Sequence, residues 1–134
     1  MVRLSKRVEY GLIALRHILT RTHGDLATAK EIARLYGIPY DLVAKVLQRL
    51  SKAGLITAVH GVRGGYAMAK RPEEIPVSLV INAIEGSSPT IVRCLADGPG
   101  SCVVFTSCTI KSPLTKVQAN IERAFDSMTL SEIV

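Results

Sequence analysis

Three cysteines are the most chemically committed side chains in this 134-residue chain, and all lie in one stretch, Cys94-Leu-Ala-Asp-Gly-Pro-Gly-Ser-Cys102-Val-Val-Phe-Thr-Ser-Cys108, with the spacing C-x7-C-x5-C. A thiolate is both a soft metal ligand and a redox nucleophile, so the stretch reads as a metal-binding loop, a thiol switch, or three inert thiols. An odd number of cysteines in a reducing compartment argues against a structural disulfide framework. Gly98, Pro99 and Gly100 allow a sharp turn between the first two thiols, and Asp97 is the carboxylate inside the loop. The histidines, His17, His23 and His60, show no metal-ligand spacing; His17 and His23 are expected at the surface or at a helix end.

The elements that must position this loop can be read from periodicity. Val8, Leu12, Leu15 and Leu19, with Ile18 widening the stripe, predict an amphipathic helix from Ser5 to about Thr22, capped by Ser5 and ended by His23-Gly24-Asp25. Glu9 and Arg16 fall off its apolar stripe and should face solvent or a partner. Thr28-Ala-Lys-Glu31 has the form of a capping box, and a short helix should follow with Ile32, Ala33 and Leu35 inward, stopping at Gly37. Pro39 then pre-sets the first turn of a helix running to about Ala53, with Gly54 just past its end. Two helices joined by a tight glycine turn form a helix-turn-helix. The second has an apolar face, Leu42, Val43, Val46, Leu47 and Leu50, opposite a polar stripe of Asp41, Lys45, Gln48 and Lys52. Such a stripe suits either an ordinary solvated face or the base edges and phosphates of a major groove.

A hairpin follows directly. Leu55-Ile-Thr-Ala-Val59 is β-rich, His60-Gly-Val-Arg-Gly-Gly65 supplies a turn, and Tyr66-Ala-Met68 returns, which makes a wing with Arg63 at a glycine-rich tip. Pro72 to Pro76 is expected as a polar linker, and Val77, Val80, Ile81 and Ile84 as a short buried helix ending at Gly86. Beyond the cysteines, Ser112 and Pro113 should open a last long helix in which Leu114, Val117, Ile121, Ala124 and Met128 repeat at heptad spacing. That seam suits packing against another helix, either within the chain or in a second copy. The fold class is therefore mainly α with a small β wing: a winged helix-turn-helix over 1–86, a cysteine loop over 87–111, and a C-terminal dimerisation helix and tail over 112–134.

Charge divides the chain in the same way. Residues 1–71 hold 13 Lys or Arg against 4 Asp or Glu, a net of +9, whereas residues 72–134 hold 4 against 7, a net of −3. A basic half joined to a mildly acidic one fits a polyanion-binding module with an appended element. With 48% apolar and 21% charged residues the chain is expected to be globular. The apolar run Ile75 to Ile84 is too short to span a bilayer and no signal-peptide core follows the N-terminal residues, so no membrane association is expected and the location is cytoplasmic. Catalysis is disfavoured: no nucleophile-base-acid set or paired carboxylates stand at plausible positions, and neither Lys-Ser/Thr nor a helix follows the wing glycines.

With these elements in place the chain resembles the IscR, NsrR and RirA family of bacterial winged-helix regulators. The resemblance rests on Met1-Val-Arg-Leu-Ser-Lys6, the helix-turn-helix Ile32 to Leu55, the wing Gly61-Val-Arg-Gly-Gly-Tyr66, the three-cysteine loop and Thr129-Leu-Ser-Glu-Ile-Val134, and so spans essentially the whole chain. It implies a homodimer that binds double-stranded promoter DNA and whose binding is switched by an iron-sulfur cluster, 2Fe-2S or 4Fe-4S. Two departures stand out. IscR-like members usually have five residues in both cysteine gaps, and the longer first gap here is more RirA-like; and they carry a histidine three residues after the third cysteine, where this chain has Lys111. His60 also replaces an arginine found at the wing base of several relatives.

The resemblance places Cys94, Cys102 and Cys108 as cluster ligands. A cluster asks for four ligands, and no histidine follows in the loop, which leaves a carboxylate, a small molecule or nothing for the fourth place. By likeness to NsrR-like members, which use a first-helix carboxylate reaching across to the other subunit, Glu9 is the expected fourth ligand, with Asp97 as the in-loop competitor. Pro39, Tyr40, Lys45, Gln48 and Arg49 are expected DNA contacts on the recognition helix, with His60, Arg63 and Gly64 on the wing. A cluster-free regulator with a thiol switch, and a winged-helix protein-interaction module, are the alternatives.

Overall fold

The computed structural model of the protein describes residues 3–21 and 25–134. Helix α1 (Lys6–Leu19) opens on Ser5, whose hydroxyl accepts the Val8 amide at 3.2 Å, and turns Val8, Leu15 and Ile18 into the core. It ends at Leu19, short of the expected Thr22; Thr22, His23 and Gly24 lie outside the described residues, and with them the expectation for His23. A Cβ at Gly11 would stand 2.3 Å from the Ile84 side chain, which fills the space beside α1 that a larger residue would need.

Helix α2 (Ala29–Tyr36) shows half of the capping box. Thr28 accepts the Glu31 amide at 3.1 Å, but the Glu31 carboxylate turns instead to His17 and Arg21. Leu35 is not inward: it is 63% exposed, because the left-handed turn at Gly37 (φ 66°) swings Ile38 into the core in its stead. Helix α3 (Tyr40–Lys52) starts after Pro39, which is its N-cap rather than its first helical residue, and buries Val43, Val46, Leu47 and Leu50. Each fully buried leucine contributes roughly 1.5–3 kcal/mol by leaving water.

Strands β1 (Ile56–Val59) and β2 (Gly65–Met68) pair antiparallel in the register Ile56↔Met68 to Val59↔Gly65, and form the wing. The wing is stitched to the start of α2 by reciprocal backbone bonds between Ala27 and Tyr66, at 2.7 and 3.1 Å. The segment expected as a polar linker is not one. Pro72–Glu74 is a turn of 3₁₀ helix, Ile75 is fully buried, and Pro76 bridges to Thr129.

Helix α4 (Val77–Glu85) buries Val77, Val80, Ile81 and Ile84 as its pattern predicts and ends on Gly86. The cysteine segment then holds a short helix α5 (Arg93–Asp97) and single 3₁₀ turns at Pro99–Ser101 and Phe105–Ser107. Helix α6 (Lys111–Ser127) begins earlier than Ser112 and Pro113 suggest, with Ile110 as N-cap; a first turn tolerates proline because its amides have no partner inside the helix. Finally α7 (Leu130–Ile133) folds back: Leu130 donates to the Ile75 carbonyl at 2.7 Å and sits in the same core as Val8 and Leu50. The architecture is thus mainly helical with a two-stranded wing and a long C-terminal helix. Among the described residues no helix is long and apolar enough to cross a membrane.

Candidate nucleic-acid interface and cysteine loop

Between the start of α2, the first half of α3 and the wing lies an open cleft of about 440 Å³. Thr28, Lys30, Tyr40, Gln48, His60 and Gly64 are among its walls, so the fold brings the helix-turn-helix and wing candidates to one concave surface. Tyr40, Ala44 and Gln48 recur every four residues and form the edge of α3 that lines it, next to the polar stripe read from the sequence. Pro39, Lys45 and Arg63 are exposed, Arg63 at the outer corner of the turn closed by the Gly64 amide on the Gly61 carbonyl at 3.0 Å. Gly64 is needed for shape: a Cβ there would meet the Val59 carbonyl oxygen at 2.3 Å. Thr28, Lys30 and Tyr66 line the cleft, although the sequence gives them no binding role. The signal was present in Lys30, a cation in the first turn of a capped helix, where free amides already favour an anion.

Arg49 is used differently. Its Nη1 donates to the carbonyl of Ile84 at 2.7 Å, one of the last-turn acceptors of α4 left without an intrahelical partner. A cation at a helix C-terminus also complements the helix dipole. This guanidinium therefore braces α3 against α4.

His17, expected at the surface or at a helix end, lies in the last turn of α1 and is buried, 7% exposed. Its Nε2 faces Glu31 at 3.2 Å, its Nδ1 faces the Tyr36 hydroxyl at 3.0 Å, and Tyr36 meets the ring edge-on. Burial first, and then the Arg21 charge, holds its pKa below the ordinary value. Glu31 does not reverse this, because it is also paired with Arg21. The cluster pins α2 to α1, and thereby sets where the helix-turn-helix sits.

In the cysteine segment Cys94, Cys102 and Cys108 are free and half-buried. Cys94 lines a cavity of about 440 Å³ with Phe105, Lys111 and Lys116. Lys111 stands where a histidine ligand would be in IscR-like proteins, but its ammonium donates to the Phe105 carbonyl at 2.8 Å and lies 4.0 Å from the centre of that ring. Glu9 pairs with Lys6 at 2.9 Å and holds the Lys6 pKa above its usual range; Arg3, Leu4 and Ser5 line the same depression of about 740 Å³, and none of the cysteines is among its lining residues. Asp97 is exposed on the last residue of α5.

The donor chemistry suits a cluster, since three free thiols stand on one glycine-bearing segment. Their placement within a single chain is looser: among the described residues no three His, Cys, Asp or Glu side chains converge as a ligand set.

The sequence profile of the Rrf2 family, described as iron-dependent transcriptional regulators, matches residues 4–134. The chain belongs to the Rrf2 family. It is 29% identical to the HTH-type transcriptional regulator NsrR of Oceanobacillus iheyensis over 98% of this chain and 88% of that protein. Among solved structures it is similar to T. potens IscR, at 27% identity with a TM-score of 0.71 over 98% of this chain and 85% of the other. The global cysteine regulator CymR of B. subtilis superposes with a TM-score of 0.75 over 99% of this chain and 96% of the other; at 21% identity it shows the shared fold. The Rrf2 chain is a transcriptional regulator with a winged-helix DNA-binding architecture.

Proposed function

We propose that this Rrf2 regulator binds promoter DNA as a homodimer through the α2–α3–wing cleft and that its cysteine loop switches that binding by holding an iron-sulfur cluster. The observation that carries the DNA part is the cleft itself, which joins recognition-helix and wing residues on the basic half of the chain. Tyr40, Lys45 and Gln48 would meet the major groove, with Pro39 at the helix entry. His60, Arg63 and the Gly64 backbone would hold the adjacent phosphates or minor groove. Two such units related by twofold symmetry would read half-sites roughly one helical turn apart.

The α6 seam supports the dimer. Val117, Ala124 and Met128 are exposed along it and Leu114 and Ile121 are half-buried, while Gln118 and Phe125 pack inward, so much of the heptad face is open to a second copy. Cys94, Cys102 and Cys108 would hold the cluster, and Glu9 of the second copy would complete the set, with Asp97 as the alternative. Such a group would supply iron-thiolate bonds to Cys94, Cys102 and Cys108, and a carboxylate would be the most exchangeable of its ligands. The chain's own part would be to hold the loop against α6, with Phe105 lining the cavity beside Cys94. The location is cytoplasmic in this reading.

Two measurements test it. Anaerobically reconstituted protein should carry iron and sulfide with visible absorbance, and lose both on Cys102→Ala; protein with neither after reconstitution refutes the cluster. Duplex binding should weaken steeply with salt; salt-independent binding refutes the DNA surface. If colourless protein changes its DNA affinity on mild thiol oxidation, the thiol switch takes the cluster's place.

A further inference from the structure

Gln118 is a polar side chain buried in a helix whose exposed seam is otherwise apolar; it is 6% exposed, and its whole amide is engaged. Its oxygen accepts the Ile91 amide at 3.0 Å, while its nitrogen donates to the Pro89 carbonyl at 2.7 Å and to Glu122 at 3.1 Å. One side chain thus brackets residues 89–91, immediately before α5 and Cys94. Past the last cysteine, Lys111 grips the Phe105 carbonyl from the first turn of α6. The cysteine segment is therefore fastened to α6 at its entrance and near its exit.

The entrance is a short distance along the chain from the DNA-binding half. Ile84 accepts Arg49 of α3, and Glu85 accepts Ser5 and, at 3.2 Å, Arg7 of α1. A pull on residues 89–91 acts on the end of α4, where both the recognition helix and α1 are attached. We infer that Gln118 is a positioning residue that couples the conformation of the cysteine loop to the recognition helix, with the Arg49–Ile84 bond as the receiving contact. This rests on the reading of the loop as a switch, and adds the residue through which it acts. Gln118 itself touches neither a cysteine nor the DNA-binding cleft.

Coupling between two sites is reciprocal, so DNA should alter the loop as the loop alters DNA binding. The test uses the full metal-free chain, N-ethylmaleimide as the thiol probe, and a duplex selected from random sequence on the wild-type protein. Alkylation rates of Cys94, Cys102 and Cys108 are measured by mass spectrometry with and without saturating duplex. In the wild type the two rates should differ by roughly fivefold or more. Gln118→Met keeps the length of the side chain and removes its hydrogen bonds; it should bring the ratio to within about twofold while the duplex Kd changes less than about threefold. A wild-type ratio retained in Gln118→Met overturns the inference and leaves the switch standing. A ratio of one in the wild type overturns both, with salt-dependent duplex binding unaffected. Should Gln118→Met not fold, Gln118→Glu decides: it can still accept from Ile91 but cannot donate to Pro89, so the ratio should fall, and an unchanged ratio overturns the inference.

Discussion

Arg49→Met separates two roles for the same arginine. In the structure its guanidinium caps the Ile84 carbonyl at 2.7 Å. A hydrogen bond from a charged donor contributes about 1.5–3 kcal/mol, and a cation at a helix C-terminus about 0.3–1 kcal/mol. Methionine keeps the aliphatic stem and removes both, so the expected loss is about 2 kcal/mol, toward the lower end of that range because Arg49 is partly open to water. For a chain of this size, each kcal/mol moves Tm by about 3 °C, which predicts a fall of about 6 °C. The assay is thermal melting of metal-free protein at one fixed concentration, because an oligomer's Tm depends on it. Arg49→Lys should recover part of the loss, having a charge but no planar fork. The paired measurement is the slope of log K against log salt for duplex binding, which should be unchanged. A variant that melts within about 1 °C of wild type while its salt slope shrinks by about 0.9 per protomer would refute the brace and return Arg49 to the phosphates.

Other outcomes follow from the same geometry. Arg63→Ala should leave Tm unchanged, because the side chain is exposed at the wing corner, and should reduce the salt slope by about 0.9 for each wing engaged. Gly64→Ala forces a Cβ against the Val59 carbonyl and should lower stability by about 1–3 kcal/mol, with faster hydrogen exchange in the wing and weaker duplex binding. Because His17 has a folded pKa below the ordinary 6.5, the folded state takes up fewer protons than the unfolded one. Its stabilising contribution is thus present above pH 6.5 and lost as the pH falls below it. Urea unfolding should show stability declining below pH 6.5 in wild type and a flatter profile in His17→Gln. Leu130→Ala, at a fully buried site, should cost about 2–5 kcal/mol even though it lies far along the chain from the helix-turn-helix it supports.

The helix-turn-helix, the wing and α4 were legible because their information is local. Apolar spacing, a glycine after each helix and a glycine-rich turn decide them within a few residues, and α4 runs as its four buried aliphatics require. What was not legible depends on partners distant in sequence. His17 is legible as a helix-end residue, which it is, but nothing near it announces its burial against Tyr36 and Glu31. Glu31 looked like half of a capping box because that motif cannot register a competing arginine at position 21. Arg49 shares its helix with the cleft residues Tyr40 and Gln48, and its bond to the end of α4 depends on an element distant in sequence. Residues 72–76 read as a polar linker because the two prolines and two glutamates outweigh Ile75, whose burial requires Leu130 and Thr129 to come back. The cysteines were found by type and spacing, whereas their attachment to α6 through Gln118 and Lys111 has no signature in the sequence.

The return of Leu130 to Ile75 bears on how the protein is made. On a ribosome the helix-turn-helix and wing emerge first, but the core beneath them lacks its Leu130 contact at Ile75 until Leu130 has left the exit tunnel, by which time the cysteine segment and α6 have emerged as well. A polypeptide interrupted anywhere in the cysteine segment would leave that core unfilled. Completion of the core on which the helix-turn-helix packs therefore waits on residues that lie beyond the cysteine segment.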